Sequence, residues 1–368
     1  MNMPSLFRRG FEVALLLLTL LATARAACAN PFEYSWQELA PGVWAAIRQD
    51  PLELPQEGNA LFVVTDAGVL LFDAGGSPAM GEAIVAKVRS VTDREITQVV
   101  LSHWHADHMR GLQAIQAAFP HVRILAHPHS REWIAATQER WLKRRVTMVP
   151  NVRKAVNAAL SQGRDLAGRA LIPAERAWLE QGLTITDQFD RENNRTTFVV
   201  PNETLDGDLT FFLGGREIGL LHLGKSHTAG DIVLWLPQEK IVATGDIVTA
   251  PIPLLPSAYT KEYVDVLDRI QALGFTTLVP GHGLVERDSS YIGLLVDTFH
   301  AVTTQMKALV AQGLSVDDAV TRIDFSSVEG RFTHGDPFLH NRFLDYVASA
   351  LPMAAYAEAT GKEPEETF

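Results

Sequence analysis

The stretch LSHWHADHMRG, residues 101–111, places His103, His105, Asp107 and His108 within six residues. All four carry nitrogen or oxygen donors that bind cations. His103 and His105 are two apart, so in extended chain they share a face. Asp107 and His108 fall where the next helix should begin. A turn of this kind can offer two donors to one ion and two to a neighbouring one. Three later stretches have the same character: GKSHTAGD with His227, ATGDI with Asp246 and VPGHG with His282. Each follows a predicted strand or ends one, and each is flanked by glycine, which lets the backbone turn sharply. A single histidine beside glycine is more often structural. Four such stretches in one chain point to a common site.

The elements that must carry these residues follow from the spacing of apolar positions. GVWAAIR, NALFVVTD and GVLLFDAGG read as short strands separated by turn residues, with Asp66-Ala67-Gly68 as a hairpin turn. MGEAIVAKVRSV has helical spacing, and ITQVVLSH is an apolar strand that delivers the first histidines. MRGLQAIQAAF is a short helix and VRILAH another strand. This alternation argues an α/β protein. No strand is evident from about residue 130 to 190, where REWIAATQERWLKRRV and ERAWLEQGL are helical in period, so a helical insertion is expected. Strands resume in RTTFVVP, LTFFLGG, REIGLLHLG, DIVLWLP and KIVATGD. A helix, TKEYVDVLDRIQALG, and a strand, TTLVPGHG, come next. The region 286–368 reads as mostly helical.

Composition narrows the class. The 368 residues are 47% hydrophobic and 20% charged, enough for a substantial core. The opening has Arg8 and Arg9, an apolar run from Val13 to Leu21, then small residues, which is the order of a secretory signal. Residues 1–29 are expected to be removed, with cleavage after Ala26 or Ala29, and the remaining 30–368 to form one domain. The run is too short for a comfortable bilayer span of about 20 residues. RRGF resembles a weak twin-arginine signal, but an ordinary positive segment accounts for it. Cys28, the only cysteine, has Arg25 where a lipidation signal would have an aliphatic residue. The expected location is therefore periplasmic or secreted, with no stable membrane span in the mature form. No thiol is left in the body of the chain for catalysis or metal binding. Removing the signal takes away three arginines and one glutamate, so the net charge goes from −11 to −13. So acidic a protein is a poor binder of nucleic acid, which needs clustered lysine and arginine. A small-molecule substrate is the expected partner. The sequence sets no oligomeric state.

The order H-x-H-x-D-H, H, D, H resembles the metallo-β-lactamase superfamily, as do NALFVVTDAGVLLFDAGG and SHTAGDIVLWLPQEKIVATGD. The resemblance covers most of residues 33–285 apart from the insertion. It implies a four-layer αββα sandwich with a binuclear metal site at one edge. It implies that His103, His105 and His227 hold a first ion, that Asp107, His108 and His282 hold a second, and that Asp246 bridges them. It further implies that Asp73, in LFDAGG, steadies this cluster from behind. Donors that are all nitrogen and oxygen suit two zinc ions, and also admit manganese or iron. The expected chemistry is hydrolysis. Two ions lower the pKa of a shared water, the resulting hydroxide attacks a carbonyl, and Asp107 orients it and moves its proton. No G-x-S-x-G elbow is present to suggest a serine nucleophile. Aspartate at 246 departs from the zinc β-lactamases, which have cysteine or serine there. It looks more like glyoxalase II and the lactonases, so the expected bond is an ester, lactone, thioester or amide, β-lactams included. A one-iron persulfide dioxygenase has similar ligands and is an alternative. A non-catalytic accessory protein of a periplasmic redox system is a third.

Other residues carry weaker expectations. Tyr259 sits on the loop after Asp246, where superfamily members place substrate contacts. Residues 140–154 hold Arg140, Lys143, Arg144, Arg145, Arg153 and Lys154 and no acid. This reads as a solvated helix face, as a lid in which Arg144 and Arg145 attract an anionic substrate, or as a membrane-surface contact. His222 is expected in the sheet, and His127 and His129 in a solvated loop. His334 and His340 read as surface or packing residues of the tail.

Overall fold

The apolar runs ALFVVT (β3, Ala60–Thr65) and GVLLF (β4, Gly68–Phe72) pair antiparallel through the turn at Asp66-Ala67 and are buried along almost their whole length. Strands with both faces apolar must be covered on both sides, and that requirement organises the molecule. The computed structural model describes residues 32–48, 56–165, 167–255, 257–364 and 366. The signal-like segment and Cys28 lie outside the described residues.

Two sheets carry the fold. The first has the order β1-β2-β3-β4-β5-β6-β7, with β1 at Ser35–Ala40, β2 at Val43–Ile47, β5 at Ile96–Val100, β6 at Arg123–Ala126 and β7 at Glu203–Thr204. The second has the order β12-β11-β10-β9-β8, with β8 at Leu209–Leu213, β9 at Arg216–Leu221, β10 at Val233–Leu236, β11 at Ile241–Ala243 and β12 at Thr277–Val279. Three apolar clusters lie between the layers. Leu61, Val63, Leu70, Ile218, Leu220 and Leu234 pack between the sheets. Ile84, Val88, Leu112 and Ile115 join helices Pro78–Val91 and Leu112–Ala118 to the outer face of the first sheet. Tyr263, Leu267, Phe299 and Leu351 join the helices Thr260–Ala272, Ser290–Ala311 and Leu351–Ala359 to the outer face of the second. This is the four-layer αββα sandwich.

Strands β4, β5, β6 and β7 run parallel, as do β11 and β12. Parallel neighbours need crossovers, and each crossover returns through helices. The carboxyl ends of β4, β5, β11 and β12 therefore open at one edge of the sandwich. Ligands of open α/β sheets bind beyond such ends, and Asp73, His103, Asp246 and His282 all follow one of these strands.

Between β6 and β7 the crossover is the helical insertion. It consists of the helices Pro128–Gln162 and Pro173–Arg195, slightly wider than the expected 130–190. Both start with proline, whose missing N–H costs nothing in the first turn. Glu175 turns back to accept from Ile172 N at 3.2 Å. Buried Glu175 also accepts from Asn341 Nδ2 (2.9 Å) and Arg342 Nη2 (3.1 Å), tying the insertion to the C-terminal helices. At its other end Arg195 pairs with Glu82, 2.7 Å away on Pro78–Val91.

Two readings of local structure need correction. RTTFVVP is not a strand: Arg195 ends a helix, and residues 196–201 run as irregular chain. Phe198, Val199 and Val200 are apolar because they pack on the cluster at the outer face of the first sheet, with Phe198 edge-on to Trp141 at 4.8 Å. Ladder bonding starts only at Asn202, whose N donates to Ile124 O. Strand β1, SWQELA, has no clean alternation and escaped the sequence pattern. It forms because it pairs with β2 at the sheet edge. Among the described residues no helix is long and apolar enough to cross a membrane.

Candidate metal centre

Four loops at the open edge bring the seven donors together. His103, His105, His227 and Asp246 form one set, and Asp107, His108, His282 and Asp246 another; within each set the donor atoms lie within 4.8 Å of one another. Asp246 belongs to both, with one oxygen turned to each. Its Oδ2 lies 3.8 Å from His103 Nε2 and 3.6 Å from His227 Nε2. Its Oδ1 lies 3.0 Å from His108 Nε2 and 3.5 Å from His282 Nε2. His227 Nε2 is 3.0 Å from His105 Nδ1, and Asp107 Oδ2 is 3.0 Å from His282 Nε2.

The surroundings aim these side chains. Asp73, at the end of β4 with φ 60°, accepts from Ser102 N and Ser102 Oγ, both at 2.7 Å. Its Oδ2 also lies 2.9 Å from His108 Nδ1, which leaves His108 Nε2 facing the cluster. Ser102 Oγ lies 2.9 Å from His103 Nδ1 and turns His103 Nε2 the same way. Asn59 Nδ2 donates to Pro280 O and Gly283 O, both at 2.9 Å, and clamps the loop of His282 to the first sheet. Asp231 accepts from Ser226 Oγ and Thr228 N and closes the loop of His227.

The electrostatics divide the two sets. Burial, reinforced by neighbouring histidines, holds His103 well below its usual range and His227 at about 4, so these rings are neutral lone-pair donors. In the other set burial is overridden. Asp246 and Asp107 push His108 well up, and His282 rises to about 9. Burial likewise opposes ionisation of Asp107 and Asp246, yet the adjacent His108 and His282 hold both carboxylates low. The donor set fits metal ions by a direct sign: His103 Nε2, His108 Nε2 and Asp246 Oδ1 are buried without a hydrogen bond. Buried polar atoms are normally satisfied, and one cation in each set would satisfy all three.

Beside the cluster lies a cavity of about 470 Å³. Trp104, His105, Asp107 and Arg110 form its floor, and Trp141, Arg144, Met148, Val152 and Phe189 of the insertion form its other wall. Arg144 is thus at the site, while the side chain of Arg145 lies outside the described residues. Tyr259 is not among the lining residues; it is buried, and its hydroxyl donates to Glu366 Oε1 at 2.9 Å. His127 and His129 are not in a solvated loop either. His127 caps the helix Pro128–Gln162, accepting from His129 N, and stacks on His222 at 4.3 Å. His222 itself follows β9, its Nδ1 2.9 Å from Asp231 O.

Three neighbours of the cluster were not singled out in the sequence. Arg110 stands two residues beyond His108 and could have been suspected from its place in the motif. Glu57 is buried 3.7 Å from Arg110, with both oxygens free of hydrogen bonds, and burial pushes it up to about 7 against the pull of Arg110. Glu366 lies far along the chain, and no local signal marks it or Glu57.

Residues 55–282 match the metallo-beta-lactamase superfamily, and the chain belongs to it. It is 24% identical over 283 residues to a linear primary-alkylsulfatase of a Pseudomonas species, covering 70% of this chain and 48% of that protein. It is 20% identical over 233 residues to the metallo-beta-lactamase type 2 of Bacillus cereus, covering 62% of this chain and 67% of that one. These relatives are hydrolases. The solved stereoselective inverting sec-alkylsulfatase Pisa1 of a Pseudomonas species superposes with a TM-score of 0.55 at 16% identity, over 89% of this chain and 55% of that one. That likeness is one of fold. The chain spans about half the length of the alkylsulfatases it matches.

Proposed function

We propose that this chain is an exported, binuclear metal-dependent hydrolase, holding two zinc ions and cleaving an ester, lactone, thioester or amide bond in a small molecule. The observation that carries the reading is Asp246, with one oxygen facing each of two donor sets. His103, His105 and His227 would hold one ion, and Asp107, His108 and His282 the other. When bound, the pair supplies a Lewis acid and an activated water near neutral pH. Asp107 reaches the cavity and also touches His282, so its carboxylate can take the proton of the attacking water and pass it to the leaving group. Asp73 and Ser102 fix the ring orientations of His108 and His103. The apolar wall of Trp141, Met148, Val152 and Phe189 would exclude water and hold the body of the substrate. Arg110 and Arg144 would attract an anionic group on it.

The same cavity supports a second reading, a sulfate ester. An apolar wall with two arginines suits an alkyl chain carrying a sulfate, and a sequence relative is a linear primary-alkylsulfatase. The test is metal analysis of the purified mature protein, followed by assays on esters, lactones, thioesters, lactams and alkyl sulfates. Two ions per chain with turnover of one class supports the proposal. One iron per chain with oxygen uptake replaces it with the dioxygenase. Export is tested by the N-terminal sequence of the protein recovered from its native host.

A further inference from the structure

One carboxylate outside the metal centre is bound by four donors from four separate parts of the chain. Glu366, 8% exposed, accepts from Trp104 Nε1 at 2.7 Å and lies 3.0 Å from His129 Nε2, both through Oε2. Through Oε1 it accepts from Ala229 N at 2.7 Å and Tyr259 Oη at 2.9 Å. Hydrogen bonds to an ionised acceptor are among the stronger ones in proteins, and a buried carboxylate needs several to offset its lost hydration.

The identity of the donors gives this arrangement its meaning. Trp104 stands between His103 and His105, and its ring lies edge-on to His105 with centroids 4.3 Å apart. Ala229 is two residues beyond His227. Tyr259 N donates to Ser226 O, so Tyr259 braces the same loop from below. His129 is in the first turn of the insertion helix Pro128–Gln162. Three residues earlier in the tail, Glu363 Oε1 pairs with Lys225 Nζ at 2.7 Å, two residues before His227. The tail thus grips the His227 loop at two points and the His103–His105 loop at one. Among the described residues, the hydrogen bonds of Glu363 and Glu366 go to none of Asp107, His108 and His282 themselves.

We infer that Glu366 is a positioning residue for the three-histidine set: it locks the loops of His103, His105 and His227 in the spacing that one ion requires. This rests on the metal reading above. Ligand spacing matters because a tetrahedral ion holds its nitrogens at about 2.0–2.1 Å, and loops free to part would lose that geometry.

The test uses the full-length mature protein, stripped of metal and titrated with Co²⁺ against a competing chelator, with the visible spectrum recorded. A His282→Ala background isolates the three-histidine set. There, Glu366→Gln, which turns amide hydrogens against two of the four donors, should weaken Co²⁺ binding about tenfold, the low end for outer partners of metal ligands. The absorption bands of the bound ion should shift as well. Glu366→Ala should behave likewise and recover when formate is added, with no effect of formate on the parent protein. In the native background the ion held by His108 and His282 should keep its affinity. Unchanged affinity and spectrum in both variants would overturn the inference. So would a variant that loses both ions together with its folded state, because Glu366 would then be a general structural residue. A native protein that takes up no Co²⁺ would overturn the metal reading itself.

Discussion

A side-chain carbon built on Gly281 would stand 2.0 Å from Asp246 Oδ1. The backbone before His282 therefore presses directly on the carboxylate shared by the two donor sets. Gly281 N also donates to Gly245 O at 2.9 Å, so the two loops are held face to face. Neither loop can move away without losing that bond. Gly281→Ala is expected to displace Asp246 and lower metal content below two ions per chain. Elemental analysis of the purified variant checks this; full occupancy would show that the loops can part without harm.

Asp246 should be the least replaceable residue of the centre. Removing an outer partner of a metal ligand costs roughly 10–100-fold in affinity or activity, and a shared ligand should cost more. Asp246→Ala is expected to reduce hydrolysis by more than about 100-fold and to release at least one ion, with the far-ultraviolet circular dichroism preserved. Retention of both ions with normal turnover would remove Asp246 from the bridge.

Asp73→Asn isolates charge from shape. Asparagine tolerates the positive φ of this position and keeps the side-chain length, but its amide nitrogen must face either Ser102 N or the pair Ser102 Oγ and His108 Nδ1, where the carboxylate places an oxygen at both. The ion at His108 should be lost first, with affinity down roughly 10–100-fold. Chelator competition measures it, and equal affinities would mean that Asp73 only shapes the turn.

Arg144→Glu puts repulsion where the cavity wall offers attraction. An exposed ion pair is worth up to about 1 kcal/mol, so KM for an anionic substrate should rise roughly threefold to tenfold while kcat stays the same. The difference should shrink in high salt. Equal KM at low salt, on a substrate proven to be anionic, would return Arg144 to the solvated face of its helix.

His127 should make the fold sensitive to acid. Burial, and then the ring of His222, lowers it from 6.5 to about 4, against the opposing charge of Asp206. Above about pH 6.5 the ring is neutral both folded and unfolded, and its contribution is fully present. As pH falls below that, the unfolded chain takes up the proton first, so stability is lost towards pH 4. His127→Asn keeps an acceptor for the helix start and removes the titration. Its melting temperature should fall less than that of the native protein between pH 7 and pH 5. Parallel losses in the two proteins would show that His127 is not a source of the acid sensitivity.

The seven donors are legible in the sequence because their chemistry is local. A histidine or aspartate at the end of an apolar run, beside a glycine, declares both its donor atom and the turn that exposes it. The α/β class and most strands of the two sheets, though not the edge strands β1 and β7, are legible for a similar reason, since burial on both faces leaves near-continuous apolar runs such as GVLLF and ITQVV. Where apolar residues serve packing without a ladder, as in RTTFVVP, the same signal misleads, because composition records burial and not hydrogen bonding. What only the tertiary structure decided is the company these residues keep. That Asp246 turns one oxygen to each donor set follows from two loops meeting across the sandwich edge. That Arg144 faces the cavity follows from the way the insertion packs back. Glu366 meets Trp104 from 262 positions away. Such contacts have no signature in local sequence, because their geometry is set by how whole layers pack and not by the residues on either side.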